Sequence, residues 1–246
     1  VEYQSGDEVG TLIGAFNAMI VSTKASFEII REANEKLERH LKQIEDELAM
    51  AQQMQMSILP KQLPDRADIS MFGRMTAARE VGGDFYDVIE IDDDRVGIVI
   101  ADVSGKGVPA ALFMAVSCTV IKSLAAGGSQ PGHVLALAND ILCDGNDAAM
   151  FVTVFYGIMD NRTGELTYCN AGHNPPYLMR AGSGVEQLPT TDGVALGVMD
   201  GLDYSERKIS LADGDTVFCY TDGITEAFDM GGNEFTDARL EEALYH

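Results

Sequence analysis

Three aspartates in this chain stand where a carboxylate is costly to keep unless something compensates it. Asp102 closes the apolar run Val96-Gly97-Ile98-Val99-Ile100-Ala101 and opens Asp102-Val103-Ser104-Gly105-Lys106-Gly107. Asp84 lies in Val81-Gly82-Gly83-Asp84-Phe85-Tyr86-Asp87, and Asp222 follows Val217-Phe218-Cys219-Tyr220-Thr221 and precedes Gly223. Each falls where a buried strand is expected to meet a turn of small residues. An unpaired carboxylate is expensive there, and a divalent cation compensates several at once. Oxygen-only donors favour a hard ion such as Mg2+ or Mn2+ over zinc. The nearby glycines admit close backbone approach and can present a carbonyl as a further ligand. An Asp beside a Gly is also an ordinary turn signal; three such residues in this setting point to a metal.

The elements that must position these groups follow from pattern. The 246 residues are 46% hydrophobic and 23% charged, with a formal net charge of -22 and a pI of about 4.3. So acidic a surface repels nucleic acid and anionic membrane, and neither is expected as a ligand. The four cysteines form no C-x-x-C pair, which argues against a zinc knuckle or a disulfide framework and for reduced thiols. No apolar run reads as long enough to span a membrane, and no signal peptide is visible. The chain opens on Val1 and reads as part of something longer.

The N-terminal stretch is helical by spacing: Val9, Ile13, Phe16 and Ile20 recur at four, three and four residues. From Phe27 a heptad sets in, with Phe27, Asn34, Leu41, Leu48 and Gln55 on one seam position and Ile30, Leu37, Ile44, Ala51 and Ile58 on the other. That pattern predicts a coiled coil, and Asn34 in the seam favours two strands. Pro60 and Pro64 end it. Strand-like runs follow at 69–76, 85–91 and 96–101, then helices over 108–126 and 131–142. Strands resume at 150–159, 166–170, 177–180, 204–209 and 216–220, and a last helix covers 237–244. Strands on both sides of a helical pair argue for an α+β layered sandwich.

Four motifs occur in order: Val81-Gly-Gly-Asp84-Phe-Tyr-Asp87, Ala101-Asp102-Val-Ser-Gly-Lys-Gly107-Val-Pro-Ala-Ala-Leu112, Asn170-Ala-Gly-His173-Asn-Pro-Pro176 and Tyr220-Thr-Asp222-Gly-Ile-Thr-Glu226. Together, from about Ala49 to Leu240, they resemble the PPM-type metal-dependent protein phosphatases, in the bacterial branch typified by SpoIIE and RsbU. The resemblance implies a four-layer αββα sandwich of antiparallel sheets with two divalent cations, Mn2+ or Mg2+, at one end. It implies that Asp102 bridges both cations, that the Val103 carbonyl and, directly or through water, Asp84 serve one, and that Asp222 serves the other. A water acidified between the cations then attacks the phosphorus of a phosphoserine or phosphothreonine. The implied substrate is a partner protein of the STAS-type anti-anti-sigma class.

Asp7-Glu8-Val9-Gly10 with Leu12 and Ala15-Phe16-Asn17-Ala18-Met19 resembles the second half of a HAMP domain. The expected organisation is therefore half a HAMP domain over 1–22, a signalling coil over 23–60 and a phosphatase domain over 61–246. With it come a homodimer formed through the coil and a cytoplasmic location, as the soluble portion of an inner-membrane receptor. Membrane contact would come only through a preceding segment. The family pattern also supplies an aspartate in a D-D-x-T segment that these residues do not contain, so the chain by itself is expected to be weakly active or inactive.

Lesser candidates surround these. His173 suits a general acid or, more simply, a hydrogen bond that closes its turn. Lys106 and Arg79 lie near the metal motifs as possible phosphate partners. Gly82-Gly83-Asp84-Phe85 is similar to the GGDEF signature of diguanylate cyclases but lacks its Glu. His40 on the helix is similar to a histidine-kinase site, but no ATP-binding glycine boxes follow it. The remaining alternative is a catalytically inactive phosphatase-like scaffold that relays signals through the coil. The unbroken heptad runs straight into 52–63, which makes that segment the expected coupling point.

Overall fold

The computed structural model describes residues 8–76, 80–182 and 184–245. The chain divides between Met50 and Ala51 into two compact units. Asp7 and the rest of 1–7, together with Arg79, lie outside the described residues.

The first unit is helical. Helix α1 runs without a break from Glu8 to Met56. Five of its apolar seam residues stand open: Phe27, Ile30, Leu37, Leu41 and Ile44 are 51–67% exposed. In the second unit the last turn of α1 behaves differently. Gln55 is the one buried residue of the helix, Ile58 packs against the main core, and Leu59 is buried. The final seam positions thus serve the globular domain, and Pro60 follows as the stop.

The globular unit is built from β1 (Phe85–Glu90), β2 (Arg95–Val103), α2 (Val108–Ala125), α3 (Pro131–Cys143), β3 (Val152–Asp160), β4 (Glu165–Ala171), β5 (Tyr177–Arg180), β6 (Gly184–Gln187), β7 (Arg207–Ser210), β8 (Thr216–Phe218), α4 (Asp222–Thr225) and α5 (Thr236–Leu244). Two antiparallel sheets result, in the orders β1-β2-β3-β4-β7 and β6-β5-β8.

Side-chain alternation assigns each face. Val152, Val154, Tyr156 and Ile158 of β3 join Met114, Cys118 and Ile121 of α2 and Leu135 and Ala138 of α3. On the opposite face, Phe155, Leu166 and Tyr168 meet Leu178 and Val217 of the second sheet. Beyond that sheet, Tyr177 and Tyr220 pack with Leu240 and Leu244 of α5. Three apolar layers between four structural layers give the expected αββα order.

The structure departs from the sequence pattern in four places. Residues 69–76 alternate like a strand but stay irregular and join no strand among the described residues. The strand expected from Tyr204 begins at Arg207, because Tyr204 turns into the α2/α3 core instead. The short β6 and α4 carry too little periodicity to be read. Finally, Val108–Ala125 does reach spanning length and apolarity, with a mean hydropathy of 1.7. That apolarity serves packing: Ala110, Met114, Cys118, Ile121 and Ala125 are buried in the core beneath the first sheet. All four cysteines are free, as the spacing implied.

Candidate metal centre

The site forms where both sheets end. In β2, Val99, Ala101 and Val103 point into the helical core, so Ile100 and Asp102 face the second sheet. Asp102 pairs across the ladder with Thr153. Phe85 pairs with Ala101, which sets Asp84, just ahead of β1, beside Asp102. The second sheet contributes through the turn after β8: Thr221 Oγ1 donates to Asp84 Oδ2 at 2.6 Å, and Asp222 opens α4 in the next position.

Electrostatics show what this juxtaposition means. Burial pushes the Asp102 carboxyl up to about 8, and the hydrogen bond and charge of Asp84, then the charges of Asp222 and Glu226, push the same way. The charges of three carboxylates act on a fourth that is already half-buried, an excess of negative charge that a cation would relieve. Among the described residues, no three such side chains are closed into a metal-holding cluster. The donor set nonetheless fits hard divalent ions: it is all oxygen, grouped around Asp102, with a main-chain carbonyl alongside. Gly83 lies against that carbonyl, and a Cβ there would stand 2.9 Å from Val103 O. After Asp102 the chain turns through Gly105 and Gly107 at φ 88° and 78°, a region that glycine enters freely. Ser104 pins the turn, its N–H donating to Phe151 O and its Oγ accepting from Phe151 N–H.

The chain is similar to known proteins. The family model described as stage II sporulation protein E (SpoIIE) matches residues 92–246. The chain belongs to the SpoIIE family. It is 30% identical over 184 residues to the phosphoserine phosphatase RsbU of Bacillus subtilis, covering 75% of this chain and 55% of that protein. Protein IcfG of Synechocystis is 30% identical over 266 residues, which cover 97% of this chain and 40% of that protein. The solved SiaA-PP2C domain of Pseudomonas aeruginosa superimposes with a TM-score of 0.69 at 28% identity, over 83% of this chain and 82% of that one. The chain spans about half the length of the curated relatives it matches, from 40% to 55%.

Within this SpoIIE-family domain the remaining motif residues sort clearly. His173 is buried and fully engaged. Its Nε2–H donates to Tyr220 O at 3.1 Å, which leaves Nδ1 to accept from the Thr153 hydroxyl at 2.9 Å. Its backbone N–H donates to Asn170 Oδ1, and Asn170 Nδ2 donates to His173 O. Burial holds its pKa down at about 4. His173 is therefore the neutral clasp between the two sheets behind the site, and it has no free nitrogen for a substrate.

Asp87, the second acid of the first motif, is 2% exposed and is held by Lys122 Nζ at 2.6 Å, tying β1 to α2. Lys106 stands exposed in the glycine turn. The sequence reading missed the positions of Thr221 and Glu226. Both lie inside the Tyr220–Glu226 motif, whose length beyond Asp222 was the available signal.

Proposed function

We propose that this chain is a metal-dependent protein serine/threonine phosphatase acting in bacterial signal transduction. One observation carries the reading: Asp84, Asp222 and Glu226 press their charge onto a half-buried Asp102 at the mouth of the two sheets. Membership of the SpoIIE family and likeness to a phosphoserine phosphatase support it. Asp84, Asp102, Asp222 and the Val103 carbonyl would hold two divalent cations, Mn2+ or Mg2+. When bound, such cations acidify a water and offset charge on phosphoryl oxygens.

The chain's own residues do the rest. Thr221 orients Asp84, the His173 clasp fixes the spacing of the sheets, and the glycine turn after Asp102 leaves room for a phosphorylated side chain. The substrate is a phosphoserine or phosphothreonine on a partner protein of the STAS-type anti-anti-sigma class. The exposed seam of α1 supports a homodimer through a parallel coil, with a HAMP-like segment ahead of it. A cytoplasmic location, as the soluble portion of a membrane receptor, belongs to the same proposal.

The test is hydrolysis of p-nitrophenyl phosphate by the full-length protein with Mn2+, with Mg2+ and with chelator, beside Asp102→Asn. Metal-dependent turnover that Asp102→Asn lowers at least a hundredfold is expected. Turnover undiminished by chelator would overturn the metal dependence, and no turnover under any condition, a phosphoprotein substrate included, would replace this reading with that of an inactive scaffold.

A further inference from the structure

Gln55 is an anomaly of the helix that carries it. It occupies a heptad seam position, yet it is 5% exposed and turned into the globular unit. Its Nε2 donates to Gly82 O at 2.6 Å, and its Oε1 accepts from Gly82 N–H at 3.1 Å. A side-chain amide that takes both polar groups of one peptide residue acts as a one-residue strand neighbour. Gly82 belongs to none of the strands, and this pair supplies the ladder it otherwise lacks.

The consequence runs along three consecutive residues. Gly82 is held by Gln55. Gly83 is pressed onto Val103, so close that a Cβ would stand 2.9 Å from the carbonyl oxygen and 3.1 Å from Val103 Cβ. Asp84 is then delivered to Asp102 and to the Thr221 hydroxyl. Two adjacent glycines give the segment little stiffness of its own, so its path depends on what grips it at each end.

We infer that Gln55 is a positioning residue for the metal centre: its amide fixes the Gly82 peptide and thereby the placement of Asp84 against Asp102 and Val103. The inference rests on the metal-centre reading given above and adds to it a named residue of α1. Replacing the amide by a side chain of similar size that cannot hydrogen-bond leaves packing in place but frees the Gly82-Gly83-Asp84 run. The energy of placing Asp84 must then be supplied when a cation binds.

The decisive variant is Gln55→Met, with Gln53→Met, exposed in the same helical turn, as control. Backbone hydrogen exchange in metal-free protein is read first. In the wild type the Gly82 amide exchanges slowly although it lies outside every strand, and in Gln55→Met it exchanges at least tenfold faster. Mn2+ titration then shows a dissociation constant raised about tenfold in Gln55→Met. Turnover falls at limiting Mn2+ and recovers at saturating Mn2+. Gln53→Met matches the wild type throughout.

Rapid exchange of the wild-type Gly82 amide overturns the clamp itself, with no variant needed. Unchanged Mn2+ affinity in Gln55→Met, despite a freed Gly82, overturns the positioning role. A wild type that neither binds Mn2+ nor turns over defeats the metal-centre reading instead, and leaves the exchange result to judge the clamp.

Discussion

A carboxylate and an imidazole show what individual residues must satisfy in this site. Asp102 is tolerable as an anion only with a cation near it, because burial and three acidic neighbours oppose its charge. His173 is tolerable only as a neutral ring, because its Nε2–H and Nδ1 are already committed to Tyr220 O and Thr153. That commitment has a sign. The folded-state pKa of about 4 lies below the ordinary 6.5, so between these values the unfolded chain binds the extra proton. The stability contributed by neutral His173 is fully present above pH 6.5 and is lost as pH falls towards 4, up to about 3 kcal/mol. Urea unfolding followed from pH 7 to 4.5 should show this loss in the wild type and a shallower one in His173→Gln. Parallel pH profiles would show that the ring is not the source.

At the scale of elements, packing overrides intrinsic preference. Gly132 sits in the first turn of α3, where an alanine ordinarily adds up to about 1 kcal/mol of helix stability. Here a Cβ would stand 2.3 Å from Tyr204 O, and the Gly132 N–H is bound to Glu206 Oε1 at 2.8 Å. Gly132→Ala should therefore destabilise the domain by about 1–3 kcal/mol, the usual cost of overpacking. A urea midpoint equal to or above that of the wild type would contradict this.

The same contest decided what could be read from sequence. β1, β2, β3 and the α2/α3 pair were legible because each has a long apolar period and a face to bury. Residues 69–76 have the period but join no strand among the described residues. Gly184–Gln187 has a neighbour but almost no period. The three aspartates stood out because each lies where an apolar run meets a turn of small residues, and the His173 turn stood out by its prolines. Thr221 donating to Asp84, the Glu226 charge acting on Asp102 and Gln55 gripping Gly82 are tertiary interactions between residues with ordinary local context. No spacing announces them.

At the scale of the whole molecule, α1 presents an apolar seam that is exposed among the described residues. Burying Phe27, Ile30, Leu37, Leu41 and Ile44 against a second copy would stabilise the pair by about 1.5–3 kcal/mol for each fully covered side chain. The double variant Leu37→Asp/Leu41→Asp should convert a dimer into a monomer in sedimentation velocity while the globular domain keeps its unfolding transition. A monomeric wild type at tens of micromolar would remove the coil from the account. So would a dimer indifferent to the two charges.

The central claim is that the acidic convergence on Asp102 is a cation site, and calorimetric titration with Mn2+ addresses it most directly. The wild-type protein should bind Mn2+ and unfold at a higher temperature with it, and Asp102→Asn should lose both effects while remaining folded in chelator. Equal Mn2+ binding by wild type and Asp102→Asn would contradict the claim and remove the chemical basis for a phosphatase at this site.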